Sequence, residues 1–189
     1  MEDQPFIIEE ASTKHLLLAE QICQAMRESA AARGTGIGDR SPEDIRQKMQ
    51  KHQALIAVDS QGCWAGFCFW ELYEEGKFVS NSGLIVAPQF RGKKLAELLK
   101  TRLFGYCRSL FPNARIFGIT TGTAVMKVNT KLGFQPVAFD ELTHDPTFWK
   151  GCQVCKNYDI LTRTQGHYCL CTGMIFDPDK RKISYHGPA

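Results

Sequence analysis

The chain has 189 residues, 43% of them apolar and 23% charged, which is the balance of one soluble folded domain of ordinary size with a sizeable core. Its formal charge of +3 comes from interspersed acids and bases, so there is no broad electrostatic footprint for nucleic acid and no nucleic-acid partner is expected. The acidic start Met1-Glu2-Asp3-Gln4 is unlike a signal peptide and no apolar run reaches membrane-span length, so a cytoplasmic protein with no membrane partner and with reduced cysteines is expected.

Residues 5–10 read as a short strand, and residues 12–32 as a helical stretch carrying Leu16, Leu17, Ile22 and Met26. The segment from Arg33 to Arg40 reads as a loop, because its alternating glycines cost a helix interior too much backbone entropy. Ser41-Pro42-Glu43-Asp44 combines an N-cap residue, a proline at the first helical position and early acids, which predicts a second helix as far as Lys51. Residues 54–58, 63–72 and 77–86 are apolar, β-branched and aromatic runs separated by Ser60-Gln61-Gly62 and Glu74-Glu75-Gly76, the pattern of an antiparallel meander. From Arg91 to Leu110 the residues Leu95, Leu98, Leu99, Leu103 and Phe104 recur at helical spacing until Phe111-Pro112-Asn113 ends the run. A strand over 115–121, a short helix over 123–131 and a strand over 134–139 complete the pattern. Residues 141–189 hold half of the cysteines and no long periodic run, and are read as an extension packed on or beside a domain spanning 1–140.

The segment Leu84-Ile85-Val86-Ala87-Pro88-Gln89-Phe90-Arg91-Gly92-Lys93-Lys94-Leu95-Ala96 carries the chemistry, because an apolar strand passes through a short turn straight into an amphipathic helix. Gly92 lets backbone approach a ligand closely, the first-turn amides are unpaired donors, and the helix dipole favours negative charge there. A pyrophosphate fits such a turn, and Arg91, Lys93 and Lys94 can add charge-assisted contacts, including one to a further phosphate at the rim.

This turn resembles the acyl-CoA-binding motif of the GNAT acyltransferases, Gln/Arg-x-x-Gly-x-Gly/Ala. Gln89 and Gly92 match it, while Lys94 stands where the family has a small residue. Met126-Lys127-Val128-Asn129-Thr130-Lys131-Leu132-Gly133-Phe134 is similar to the family's late helix ending in Leu-Gly-Phe, and the two motifs stand in the right order. The resemblance covers residues 5–139. It implies an α/β fold with a central mixed, mostly antiparallel sheet flanked by helices, and leaves the small cysteine-rich C-terminal extension unexplained. It also implies acetyl-CoA, or another acyl-CoA, as donor, bound by Leu84, Ile85, Val86, Gln89, Arg91, Gly92, Lys93, Lys94, Leu95, Ala96 and Asn129, with the amine attacking the thioester directly in a ternary complex.

Many relatives place a proton-donating tyrosine where this chain has Asn129, which can hydrogen-bond the cofactor or cap the helix end but cannot act as an acid at neutral pH. The proton for the departing thiolate then comes from Tyr73 or Tyr106, or the thiolate leaves unprotonated. Glu71, at a strand end, is the carboxylate candidate for the base, set against a solvated surface acid. Ser80, Asn81 and Ser82 are the alternative, as residues positioning a water. Arg33 and Arg40 flank the glycine loop and can clamp a carboxylate on the acceptor, such as glutamate, or belong to a solvated linker. Two rival functions stay open, a non-catalytic acyl-CoA sensor or interaction module and an acetyltransferase of protein N-termini or lysines. A homodimer is compatible with all three.

Cys152-x-x-Cys155 and Cys169-x-Cys171, thirteen residues apart, can close a tetrahedral structural zinc site, with redox-active or buried thiols and an oxidised pair as the alternatives. Cys23, Cys63, Cys68 and Cys107 lie in apolar elements and are expected to pack in the core.

Overall fold

The computed structural model describes residues 6–34 and 40–180, and of Arg33 the backbone alone, so residue 5 and residues 35–39 of the predicted strand and loop lie outside the described residues. In chain order these form β1 (Phe6–Glu10), a 3-10 turn (Thr13–Leu18), α1 (Ala19–Arg33), α2 (Pro42–Gln50), β2 (Ala54–Asp59), β3 (Trp64–Tyr73) and β4 (Phe78–Val86). There follow α3 (Leu95–Leu110), β5 (Arg115–Thr120), α4 (Thr123–Lys131), β6 (Gln135–Val137), α5 (Pro146–Lys150), α6 (Tyr158–Arg163) and β7 (Thr172–Phe176).

The predicted first helix divides at residue 19. Its first turns are 3-10, and Leu17 is 92% exposed rather than part of an apolar stripe. The second helix starts where its cap chemistry dictates. Asp44 N donates to Ser41 Oγ and Ser41 N to the Asp44 carboxylate, each at 3.1 Å, which satisfies two otherwise unpaired amides reciprocally.

The sheet runs β1-β2-β3-β4-β5-β7-β6, with β4 and β5 parallel and the other neighbours antiparallel. The first four strands are the expected meander. Side chains alternate across β3, so Cys68 and Trp70 join the core beneath α3 while Phe67 and Phe69 join the core under α1 and α2. A third cluster, around Phe117, Phe139, Leu161 and Ile175, lies under the segment carrying α5 and α6. At Gly66 a Cβ would stand 2.6 Å from Leu99 Cδ1, so glycine there lets α3 seat closely on the sheet.

Two expectations are corrected. The C-terminal residues are not a separate extension: β7 lies between β5 and β6, so a boundary at 140 would cut through the sheet. Cys63 is exposed instead of core-packed, because it falls before β3 begins, in the turn from β2. Among the described residues no helix is long and apolar enough to cross a membrane.

Candidate functional site

β4 and β5 pair over Phe78↔Arg115, Val79↔Ile116 and Ser80↔Phe117, and then separate. Two features drive them apart. Gly83 takes a left-handed φ of 64°, and the register against β3 shifts from Phe67↔Ile85 to Phe69↔Ser82. This bulge leaves Gly83 and Leu84 outside both neighbouring ladders. β5 meanwhile continues along β7 as far as Thr120. Between the diverging strands lies a cleft with a cavity of about 190 Å³. One wall is Asn81, Ser82, Gly83, Leu84 and Ile85, and the other is Ile119, Thr120 and Thr121.

The strand that forms the first wall leads directly into the basic turn. After Val86 come a 3-10 turn over Pro88–Phe90, Arg91 in extended conformation, Gly92 at φ 80° and Lys94 at φ 59°. Two left-handed residues delay the helix, so α3 begins at Leu95 rather than at 91. The consequence is a run of backbone amides ahead of and within the first helical turn that have no intrahelical acceptor. Gln89, Arg91, Gly92, Lys93, Lys94 and Ala96 are exposed around this run, while Leu95 is buried against the sheet and can offer only its backbone. Arg91 Nε donates to Val86 O at 3.3 Å, and the Lys93 ammonium lies 5.3 Å from the Phe90 ring centroid. An L side chain at φ near 60° costs about 1 kcal/mol, so Lys94 is held in its conformation by the turn around it.

The cleft is further lined by Arg40 and by residues far along the chain. Arg40, Phe148, Cys152, Cys155, Asn157 and Tyr158 all face it, with Cys169 and Cys171. The Arg40 guanidinium lies over the Phe69 ring at 5.7 Å. The four tail cysteines therefore gather on one wall of the cleft, and the structure lends no support to the expected zinc site. Among the described residues no group of three or more His, Cys, Asp or Glu side chains is arranged to hold a metal. Local backbone engages two of the sulfurs instead: Cys155 Sγ accepts from Asn157 N at 3.5 Å, and Cys169 Sγ donates to Asn157 O at 3.8 Å. Burial raises the Cys152 thiol to about 11 and the Cys171 thiol to about 12, so both are protonated at neutral pH.

The expected catalytic side chains are dispersed. Asn129 is 1% exposed, does not line the cleft, and donates from Nδ2 to Met174 Sδ at 3.5 Å while its Oδ1 has no partner. Glu71 lies outside the cleft lining, and its carboxylate accepts from the Lys48 ammonium and, at 3.2 Å, from the Tyr73 hydroxyl. Tyr73 is buried among Phe117 and Phe148, and burial, followed by the Glu71 charge, drives its phenol well above the ordinary value. Tyr106 donates to Glu10 at 2.7 Å, and that bond pushes its phenol to about 12, on a surface away from the cleft. Of the three water-positioning candidates, Asn81 and Ser82 line the cleft, and Ser82 Oγ donates to the fully buried Ser80 Oγ at 3.3 Å.

Lys100 is a cleft residue absent from the sequence reading. It is 3% exposed, yet it lines the cavity from α3. The signal was present, since the lysine falls within the apolar stripe of Leu95, Leu99 and Leu103. Asn157 and Tyr158 were also missed, and only the folding of the tail over the cleft brings them there.

No family model and no curated protein sequence matches the chain. Solved structures do match it. N-acetylglutamate synthase from Neisseria gonorrhoeae, complexed with coenzyme A and N-acetyl-glutamate, is 16% identical with a TM-score of 0.66 over 93% of this chain, which spans 36% of that longer protein. A Mycobacterium tuberculosis protein in complex with CoA is 16% identical with a TM-score of 0.64, over 90% of this chain and 98% of that one. A GNAT superfamily phosphinothricin acetyltransferase from Sinorhizobium meliloti, in complex with acetyl-CoA, is 15% identical with a TM-score of 0.60, over 91% and 87% of the two chains. Likeness over nine-tenths of the chain at these TM-scores is likeness of fold: this chain has the GNAT acetyltransferase fold.

Proposed function

We propose that the chain is an N-acyltransferase that moves an acetyl or other short acyl group from acyl-CoA to the primary amine of a small molecule. The observation that carries this reading is continuity along one strand: the residues of β4 that line the cleft run directly into the turn of unpaired amides and basic side chains. A ligand with an anionic head and a long polar-to-acyl arm matches that path. Its pyrophosphate meets the amides from Gly92 to Leu95 and the charges of Arg91 and Lys93. Its arm follows Leu84, Ile85 and Val86, and its thioester reaches the bulge, where the unladdered amides of Gly83 and Leu84 are the donors available to a developing oxyanion. Holding amine and thioester together in this confined cleft lowers the entropic part of the barrier.

The amine enters from the wall formed by Arg40 and the tail. Both Glu71 oxygens are already engaged by Lys48 and Tyr73, so the proton of the incoming ammonium is taken by water held at Asn81 and Ser82. Arg40 pairs with a carboxylate on the acceptor, which makes an amino acid such as glutamate the proposed substrate. The Neisseria protein of this fold, complexed with N-acetyl-glutamate, supports that choice by analogy of architecture.

The test is release of free CoA thiol from acetyl-CoA in the presence of glutamate. Glutamate-dependent release is expected, with Arg40→Ala raising the KM for glutamate at least tenfold and leaving the KM for acetyl-CoA within about threefold. Release driven equally well by amines lacking a carboxylate would reject the amino-acid acceptor. An absence of release with every amine tried, from a protein that still binds acetyl-CoA, would favour the non-catalytic sensor.

A further inference from the structure

The cleft lining includes a donor and an acceptor that have no partner among the described residues. Lys100, on α3, is almost wholly enclosed, and among the described residues its ammonium has no ion pair and no hydrogen bond. The ammonium lies over the Phe134 ring, 5.2 Å from its centroid. Asn81, on β4, is 8% exposed and donates from Nδ2 to Cys107 Sγ at 3.3 Å, which leaves Oδ1 without a partner. Both residues line the same cavity. Burying a lone ammonium and an open carbonyl oxygen costs several kcal/mol in general, so both call for a partner from the cavity they line, whether water or ligand.

The groups around Lys100 fix its chemistry. Cys68 of β3 and Cys107 of α3 are the titratable residues close enough to act on it, and burial raises their thiols to about 12 and about 11, so both stay neutral. No carboxylate from β3, β4, α3 or the segment after α4 acts on it. Desolvation accordingly lowers its ammonium to about 8, so it is mostly protonated at neutral pH and gives up a proton readily. A group of that strength is matched to a thiolate, whose conjugate acid lies close to it in the general thiol range.

We propose that Lys100 is the catalytic acid of the transfer, donating its proton to the CoA thiolate as it leaves. This rests on the acyl-CoA reading given above and fills the role left open by Asn129. Nitrogen attacks the thioester carbon, the tetrahedral centre collapses, and the carbon–sulfur bond breaks with its electron pair on sulfur. The Lys100 ammonium then delivers a proton to sulfur and is left as a neutral amine, while Asn81 Oδ1 accepts from the new S–H. The acceptor nitrogen sheds two protons, one as its ammonium becomes the attacking amine and one as the tetrahedral centre collapses to the amide; the first balances the proton that solvent returns to Lys100, and the second is released to water. Because the protonated form is required, the contribution is present below pH 8 and declines as pH rises through it.

Free CoA, the product, tests this without an acceptor. Its thiolate absorbs in the ultraviolet, so the thiol can be titrated while bound to the intact protein. The expected result is that the thiol of wild-type-bound CoA titrates at least one unit below that of free CoA, a tenfold gain in thiolate at a given pH, and that Lys100→Met abolishes the gain while CoA remains bound. Lys100→Met removes a solitary buried cation and is expected to melt no lower than the wild type, and Lys100→Gln serves as the second variant. A bound thiol in the wild type that titrates at or above the free value, or equally in wild type and both variants, would overturn the role of Lys100 alone. Failure of the wild type to take up CoA would remove the acyl-CoA reading and this proposal with it.

Discussion

A Cβ built on Gly83 would stand 2.3 Å from Phe69 Cε1, on a residue already at φ 64°, so the bulge that opens the cleft tolerates glycine alone. Gly83→Ala combines a left-handed backbone penalty of about 1 kcal/mol with an overpacking cost of about 1–3 kcal/mol against a ring that is itself 1% exposed. We expect a loss of about 2–4 kcal/mol in urea unfolding, together with loss of acetyl-CoA turnover. A variant that unfolds like the wild type would mean that the bulge relaxes without help from Phe69. At this scale the sequence was uneven in what it disclosed. Gln89 and Gly92 announced the anion turn because turn chemistry is local. Gly83 looked like a strand glycine, since the ring it must avoid arrives from β3. Lys100 showed as a charge inside the apolar stripe of α3, but the cleft it lines is assembled from distant segments, and Cys63 was hidden by its neighbourhood of strand formers.

At the level of elements, the capped helix α2 and the meander from β2 to β4 followed from Ser41-Pro42 and from the alternation of apolar residues, signals contained within each segment. β7 did not, because five residues among cysteines, Thr172–Phe176, offer little periodicity, and their partner strands lie far back in the chain. The topology gives β7 a role that can be checked. A chain ending at residue 142 would lose Met174, Ile175 and Phe176, each no more than 6% exposed, and would leave β5 as an unpaired edge while stranding β6. Such a truncation is expected to be insoluble, or to lack a cooperative melting transition in circular dichroism. A soluble, cooperatively folded product would instead restore the picture of a detachable extension.

The molecule as a whole is two helical layers on a twisted sheet whose central parallel pair is forced apart, with the segment from 139 to 171 folded over the gap. No single segment carries that arrangement, which is why the turn was legible in sequence and the cleft beside it was not. The turn belongs to one contiguous stretch, whereas the cleft is assembled from β4, β5, α3, Arg40 and the tail. The same assembly places the thiols: Cys152, Cys155, Cys169 and Cys171 have the spacing of a metal motif, and the fold gathers them on one wall of the cleft.

The central claim is that this cleft and its basic turn bind acyl-CoA, and titration calorimetry with acetyl-CoA tests it most directly when the wild type is compared with Gly92→Glu. A Cβ at Gly92 has no atom within 4 Å, so the substitution costs about 1 kcal/mol of backbone strain and leaves the fold standing, while placing a carboxylate among the amides that would hold the pyrophosphate. Binding of one acetyl-CoA per chain to the wild type, weakened at least a hundredfold in Gly92→Glu, is the result predicted. Equal binding by the two proteins, or none by the wild type, would contradict the account.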